Sequence, residues 1–220
     1  MVKIAPSLLS ADYTNLLRQI GLAEKGGADM FHIDIMDGHF VPNITVGPVI
    51  VQAVRRCTKL PLDVHLMIDN PGKMVKSFAD AGADYITVHL EAEGDVGKTI
   101  DLIKKQKKSA GIVMNPATPF EKSTEYLSQV DMMLIMTVVP GFAGQRFMPE
   151  VLPKIKQASE YISKKGLSVE LEVDGGINME TVGPVAAAGA DIIVAGTAIF
   201  GGRIGARIAD LRAAAEGQGI

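Results

Sequence analysis

Several things are scarce in this 220-residue chain, and each scarcity removes a class of protein. A single cysteine, Cys57, rules out an internal disulfide. No positively charged and then apolar signal opens the sequence, and no apolar run is long enough to span a bilayer, so the cytoplasm is the expected compartment and no membrane partner is expected. Positive charge is not massed anywhere: 22 Lys and Arg are dispersed among 25 Asp and Glu, for a net charge of -3, which argues against a nucleic-acid or membrane-surface role. The short run Lys104, Lys105, Lys107, Lys108 reads as the solvated end of a helix. A dinucleotide fingerprint and a phosphate-loop lysine motif are both missing, which disfavours hydride transfer and nucleotide hydrolysis. Asn43-Ile44-Thr45 fits a glycosylation sequon, which is expected to be an accidental match because the cytoplasm is the expected compartment. What remains is 47% hydrophobic, enough to bury one sizeable core, and a single domain over 1–220 is expected.

Within that frame, polar residues stand where strands should be apolar. In His32-Ile33-Asp34-Ile35-Met36 the period of two puts His32, Asp34 and Met36 on one face and the isoleucines on the other. Asp63-Val64-His65-Leu66-Met67 repeats the pattern, and Glu172 and Asp174 share a face just before Gly175-Gly176, where backbone could approach a ligand closely. An imidazole beside a carboxylate on a buried face is costly unless something pairs with them, and a divalent metal would do so.

A junction recurs three times: Gly27-Ala28-Asp29, Gly82-Ala83-Asp84 and Gly189-Ala190-Asp191 each join an Ala-rich helical pattern to a short β-branched run. Strands are expected near 3–8, 30–36, 62–67, 85–90, 110–114, 132–138, 169–174 and 192–195. Helices are expected near 12–26, 47–57, 71–82, 96–107, 119–128, 149–165, 178–188 and 203–215. Eight of each, with apolar runs such as Met132-Met133-Leu134-Ile135-Met136 suited to strands buried on both faces, predict an α/β fold: a (β/α)8 TIM barrel with a parallel eight-stranded core. An open doubly wound sheet is the alternative, because periodicity does not see closure. In a barrel, catalytic groups stand at strand C-termini and phosphate is often held after strands seven and eight, here at Gly175-Gly176 and Gly196-Thr197. The loop Pro140-Gly141-Phe142-Ala143-Gly144-Gln145 is expected to cover substrate.

The chain resembles the ribulose-phosphate 3-epimerase family over essentially its whole length. The resemblance rests on Ala5-Pro6-Ser7-Leu8-Leu9-Ser10-Ala11-Asp12, the stretch from Asp34 to Asn43, Asp63-Val64-His65-Leu66-Met67, Asn115-Pro116-Ala117-Thr118-Pro119, Pro140-Gly141-Phe142 and Glu172-Val173-Asp174-Gly175-Gly176-Ile177. It implies an isomerase of the pentose phosphate pathway in which His32, Asp34, His65 and Asp174 ligate one divalent ion per chain. It also implies that Asp34 and Asp174 are the acid/base pair. Ser7, His65, Asp174 and the glycine loops (Gly141, Phe142, Ala143, Gly144, Gly175, Gly176, Gly196, Thr197) carry over as contacts to a small phosphorylated ketose, and a homo-oligomer, dimer or hexamer, is implied. The loop departs from the family pattern, which has Asn where Val139 stands and glycine where Ala143 stands. In that respect it looks like the related D-allulose-6-phosphate 3-epimerases, whereas Gly175-Gly176 and Thr197-Ala198-Ile199-Phe200 look like the ribulose-phosphate enzymes.

Inverting C3 of a 2-ketose phosphate requires removing a proton beside the carbonyl and returning one to the opposite face, work for two carboxylates. The negative charge of the enediolate is the main obstacle, and a metal offsets it. Imidazoles with carboxylates suit zinc first, then iron(II), manganese or cobalt. Met36, Met67 and Met136 are expected to line the site and keep water out, although methionine also serves simply to fill core gaps. His89 and Glu91 share a face after strand four and are read as supports or surface groups. A barrel decarboxylase is the rival enzyme class, but it needs lysines interleaved with aspartates at strand ends, and none lies between Asp34 and Asp37. A non-enzymatic metal- or phosphate-binding protein would not need carboxylates on both sides of one ligand.

Overall fold

The computed structural model describes residues 2–217. Eight parallel strands run β1 (Lys3–Pro6), β2 (Phe31–Met36), β3 (Leu62–Met67), β4 (Tyr85–His89), β5 (Ser109–Met114), β6 (Met132–Met136), β7 (Glu170–Asp174) and β8 (Ile192–Ala195). Each pairs with its neighbour in the chain, and β1 pairs with β8. The ring closes between β1 and β2 through a parallel bridge, Ser7 to His32, and the Asp29 N–H donating to the Ile4 carbonyl at 3.0 Å. This is the (β/α)8 barrel; sequential neighbours and a joined first and second strand exclude the doubly wound alternative.

The helices are α1 (Leu16–Lys25), α2 (Pro48–Cys57), α3 (Val75–Ala81), α4 (Val96–Lys105), α5 (Leu152–Lys165), α6 (Val182–Ala187), a one-turn α7 (Thr197–Phe200) and α8 (Ile204–Ala215). The helix expected over 119–128 is instead two 3-10 turns, Phe120–Ser123 and Leu127–Gln129. The Ser123 and Thr124 hydroxyls donate to the carbonyls three residues back, Phe120 and Glu121, at 2.7 Å each, and compete with helical bonding. Lys154 of α5 steadies this connection by donating to the carbonyls of Asn115, Pro116 and Thr118 at 3.1, 2.6 and 2.6 Å.

The strand register sorts side chains into two cores. Outward residues such as Ile33, Val64, Ile86, Ile112 and Val173 pack beneath the helices. Inward residues fill the barrel: Ala5, Met30, Met132, Ile192 and Val194 form one apolar cluster, Val113, Leu134, Met136 and Val138 another. Other inward positions of β2, β3, β4 and β7 carry the polar residues His32, Asp34, Asp63, His65, Thr87, His89, Glu172 and Asp174.

The aspartates of the recurring junction latch the other end of the barrel. Asp29, Asp84 and Asp191 each accept a hydrogen bond from the backbone N–H of the preceding strand (Ile4, Leu62, Leu171) at 2.7 to 2.9 Å and donate their own N–H to that residue's carbonyl. Asp131 does the same with Ala110 and makes a fourth copy, so β2, β4, β6 and β8 are each pinned at their start to the strand before.

Candidate active site

At the C-terminal ends of the strands lies a cavity of about 380 Å³. Its floor is built by pairing β2 with β3, where Asp34 stands opposite His65 and Met36 opposite Met67. Three ligand atoms form a nearly equilateral triangle: His32 Nε2, His65 Nδ1 and Asp34 Oδ1 are mutually 3.3 Å apart. The edge of a tetrahedron around an ion with bonds of about 2.0–2.1 Å is about 3.3–3.4 Å, so the three donors fit one small divalent ion. Asp174 completes the set, with all four ligand atoms within 4.8 Å of one another.

The surroundings orient these donors. Asp63 Oδ2 lies 2.5 Å from His32 Nδ1, so that nitrogen keeps its hydrogen and Nε2 is the one left to bind an ion once its own proton is displaced. Ser7 donates to Asp34 Oδ2 at 2.6 Å, leaving Oδ1 facing the imidazoles. Thr45 donates to the Asp34 carbonyl at 2.6 Å and accepts from the Met36 N–H at 3.0 Å, fixing the end of β2.

Protonation follows burial and charge. Burial alone would strip the proton from His32, but Asp34 and Asp63 outweigh it and hold the imidazole well above its usual 6.5 in the metal-free site. Burial opposes ionisation of Asp34 too, yet His32 and then His65 keep its carboxyl far below the usual range. Burial, and after it the Asp34 charge, push Asp174 up to about 7. His65 is lowered chiefly by burial, and His89, buried beside it, falls to about 4. In the metal-free site the two carboxylates at one cavity floor are therefore held apart in acidity, Asp34 ionised and Asp174 titrating near neutral pH, an arrangement that suits an acid and a base sharing a site.

The residues expected from the sequence converge. Ser7, Asp34, Asp174 and the three methionines Met36, Met67 and Met136 line the cavity. So do Gly141, Phe142, Ala143 and Gly144 after β6, Gly175 and Gly176 after β7, and Gly196 and Thr197 after β8. His32 and His65 lie beneath this surface, both fully buried. The double glycine has a further cause: a Cβ on Gly175 would stand 2.8 Å from the Val138 backbone nitrogen, and one on Gly176 would stand 2.3 Å from that of Phe147. Both glycines have positive φ, so the β7 loop packs against the β6 loop in a way only glycine permits. The Asn43 side chain ties the β2 loop to the same wall, donating to the Gly141 carbonyl at 2.7 Å.

Sequence reasoning did not single out Arg146, Ser10 and Asn178, which also line the cavity. Arg146 follows Gly144 by two residues, and an arginine in a loop already assigned to an anionic substrate was the available signal. Glu172 was noted for its face and nothing more. It is fully buried, neither carboxylate oxygen has a hydrogen-bond partner, and burial and then the Asp63 charge raise it to about 8.

Comparison with known proteins agrees with this geometry. The ribulose-phosphate 3 epimerase family matches residues 3–200. The chain belongs to that family. Among its relatives, the ribulose-phosphate 3-epimerase of Bacillus subtilis (strain 168) is 53% identical over 202 residues, covering 91% of this chain and 93% of that protein. The ribulose-phosphate 3-epimerase of Escherichia coli (strain K12) is 45% identical over 198 residues, with 90% and 88% covered. A solved 3-hexulose-6-phosphate synthase from Salmonella typhimurium superposes with a TM-score of 0.72 at 18% identity over 99% of this chain and 100% of that one, a likeness of fold alone. In this member of the ribulose-phosphate 3-epimerase family, no helix among the described residues is long and apolar enough to cross a membrane.

Proposed function

We propose that the protein inverts C3 of a ketose phosphate, interconverting D-ribulose 5-phosphate and D-xylulose 5-phosphate, with one zinc ion held by His32, His65, Asp34 and Asp174. The observation that carries this reading is the meeting of two carboxylates, Asp34 and Asp174, at one cavity floor with a 3.3 Å triangle of donors. When bound, the ion supplies Lewis-acid stabilisation of the negative charge that develops on the substrate's oxygens. Iron(II), manganese and cobalt suit the same donors.

Asp34, ionised and steadied by Ser7, removes the C3 proton from one epimer. Asp174, on the other side of the substrate, delivers a proton to the opposite face, and the roles exchange for the other epimer. Met36, Met67 and Met136 give the floor an apolar surface that excludes water from the enediolate. Backbone at Gly175, Gly176, Gly196 and Thr197, with Arg146 at the rim, receives the phosphate. The exposed apolar side chains Ile44 and Val49, 76% and 79% accessible, suit burial in a homo-oligomer, read as a dimer or hexamer in the cytoplasm.

A six-carbon substrate, D-allulose 6-phosphate, is the second reading, favoured by Val139 and the Phe142-Ala143-Gly144 segment, which lies directly on the cavity. Side-by-side kinetics decide between them: the five-carbon sugar should have the higher kcat/KM, and a clear preference for the six-carbon sugar would reverse the order. In deuterated water, solvent deuterium should appear at C3 of the product from the first turnover. Efficient transfer of the original hydrogen would sink the two-carboxylate mechanism.

A further inference from the structure

A second row of polar side chains leads away from the metal set. His65 Nε2 stands 2.8 Å from His89 Nε2, and His89 Nδ1 stands 3.2 Å from Glu91 Oε2. The other oxygen of Glu91 accepts the Asn115 N–H at 2.9 Å and the Thr118 hydroxyl. Both imidazoles are fully buried, and the Phe40 ring covers His89 at a centroid distance of 4.7 Å, so the two rings meet without intervening solvent.

Two ring nitrogens 2.8 Å apart share one hydrogen, and the far end of the row decides which of them owns it. The Asn115 N–H only donates and the Glu91 carboxylate only accepts, so His89 places its hydrogen on Nδ1, toward Glu91. His89 Nε2 is left with a lone pair, and the shared hydrogen belongs to His65 Nε2. His65 Nδ1 then has a free lone pair, and Nδ1 is the atom in the 3.3 Å triangle with His32 and Asp34. We propose that Glu91 and His89 are positioning residues that act through His65: their hydrogen-bond polarity locks His65 in the tautomer whose Nδ1 can bind the divalent ion. The inference rests on the reading of His65 as a metal ligand and adds the device that makes it one.

The test is Glu91→Gln, nearly isosteric but with one acceptor in place of two. The Asn115 N–H claims the carboxamide oxygen, the amide NH2 turns to His89 Nδ1, and the polarity of the whole row reverses, placing a hydrogen on His65 Nδ1. Zinc affinity, measured by competition with a chromophoric chelator, should weaken about 10–100-fold. Ring 15N spectra of the parent, metal-free and zinc-loaded, should show hydrogen on His89 Nδ1 and on His65 Nε2. In metal-free Glu91→Gln both assignments should switch. A parent His89 with its hydrogen on Nε2 overturns the proposal and needs no variant to fold. Zinc affinity of Glu91→Gln within twofold of a zinc-binding parent overturns it while leaving the metal reading standing. Failure of the parent itself to bind zinc overturns both.

Discussion

Glu172 is the least comfortable residue in the chain, and its discomfort has a measurable pH signature. The carboxyl is fully buried with no partner for either oxygen, 3.8 Å from His32 Nδ1, which is too far for a hydrogen bond. Its pKa rises from 4.5 to about 8, so between those values the folded metal-free protein holds a proton that the unfolded chain releases. Stability contributed by that proton is complete below about pH 4.5 and is lost as pH rises toward 8, by up to about 1.4 kcal/mol per pH unit. Glu172→Gln has no proton to lose. Its metal-free Tm should therefore fall less steeply than the parent's between pH 5 and 8; parallel curves would show that Glu172 finds a partner in solution. The same residue marks the limit of reading side chains from strand alternation. The period of two places Glu172 and Asp174 on one face, but which of the two reaches the cavity depends on how far along the strand the barrel is filled, and that is a property of eight strands together.

At the level of elements, the two ends of the barrel divide the work. Chemistry gathers at the strand C-termini, while the four aspartates before β2, β4, β6 and β8 satisfy backbone at the opposite end. Three of these were legible as a repeated Gly-Ala-Asp junction because the preceding helix ends on glycine. The fourth, Gln129-Val130-Asp131, was not, because a 3-10 turn replaces that helix and leaves no glycine to mark its end. Strand positions were readable from β-branched runs, and α7 was not, because one turn is too short to show a period. Asp131→Ala would leave the N–H of the buried Ala110 without its acceptor at a cost of about 1–3 kcal/mol. Asp131→Asn keeps an oxygen in place and should recover most of that loss. Chemical denaturation measures both, and equal midpoints for Ala and the parent would mean that the latch contributes nothing.

For the whole molecule, the polar middle of the barrel is a structural cost that internal hydrogen bonds offset only in part and that ligation offsets further. His32, Asp34, Asp63, His65, His89 and Glu172 occupy inward positions where a barrel of this size would otherwise be packed with aliphatic side chains, and all six are buried. Alternation with aliphatics marked six polar strand residues, His32, Asp34, Asp63, His65, Glu172 and Asp174, and only the family resemblance chose four of them as ligands; Arg146 was not marked, because a loop has no period to betray its direction. Anything that binds the folded state alone stabilises it, so zinc at 1,000 times its Kd should add about 4 kcal/mol. In a chain of this size that is a rise in Tm of about 8–16 °C. The rise should itself depend on pH. Ligation requires His32, held well above 6.5, and Asp174, raised to about 7, to give up the protons that they keep in the metal-free site. At pH 6 zinc must displace them; at pH 8 Asp174 has already ionised. Affinity therefore climbs with pH. Calorimetric scans with and without zinc at pH 6 and 8 should show a clearly larger increment at pH 8. Equal increments at both would mean that zinc displaces no proton from this cluster and binds elsewhere on the molecule.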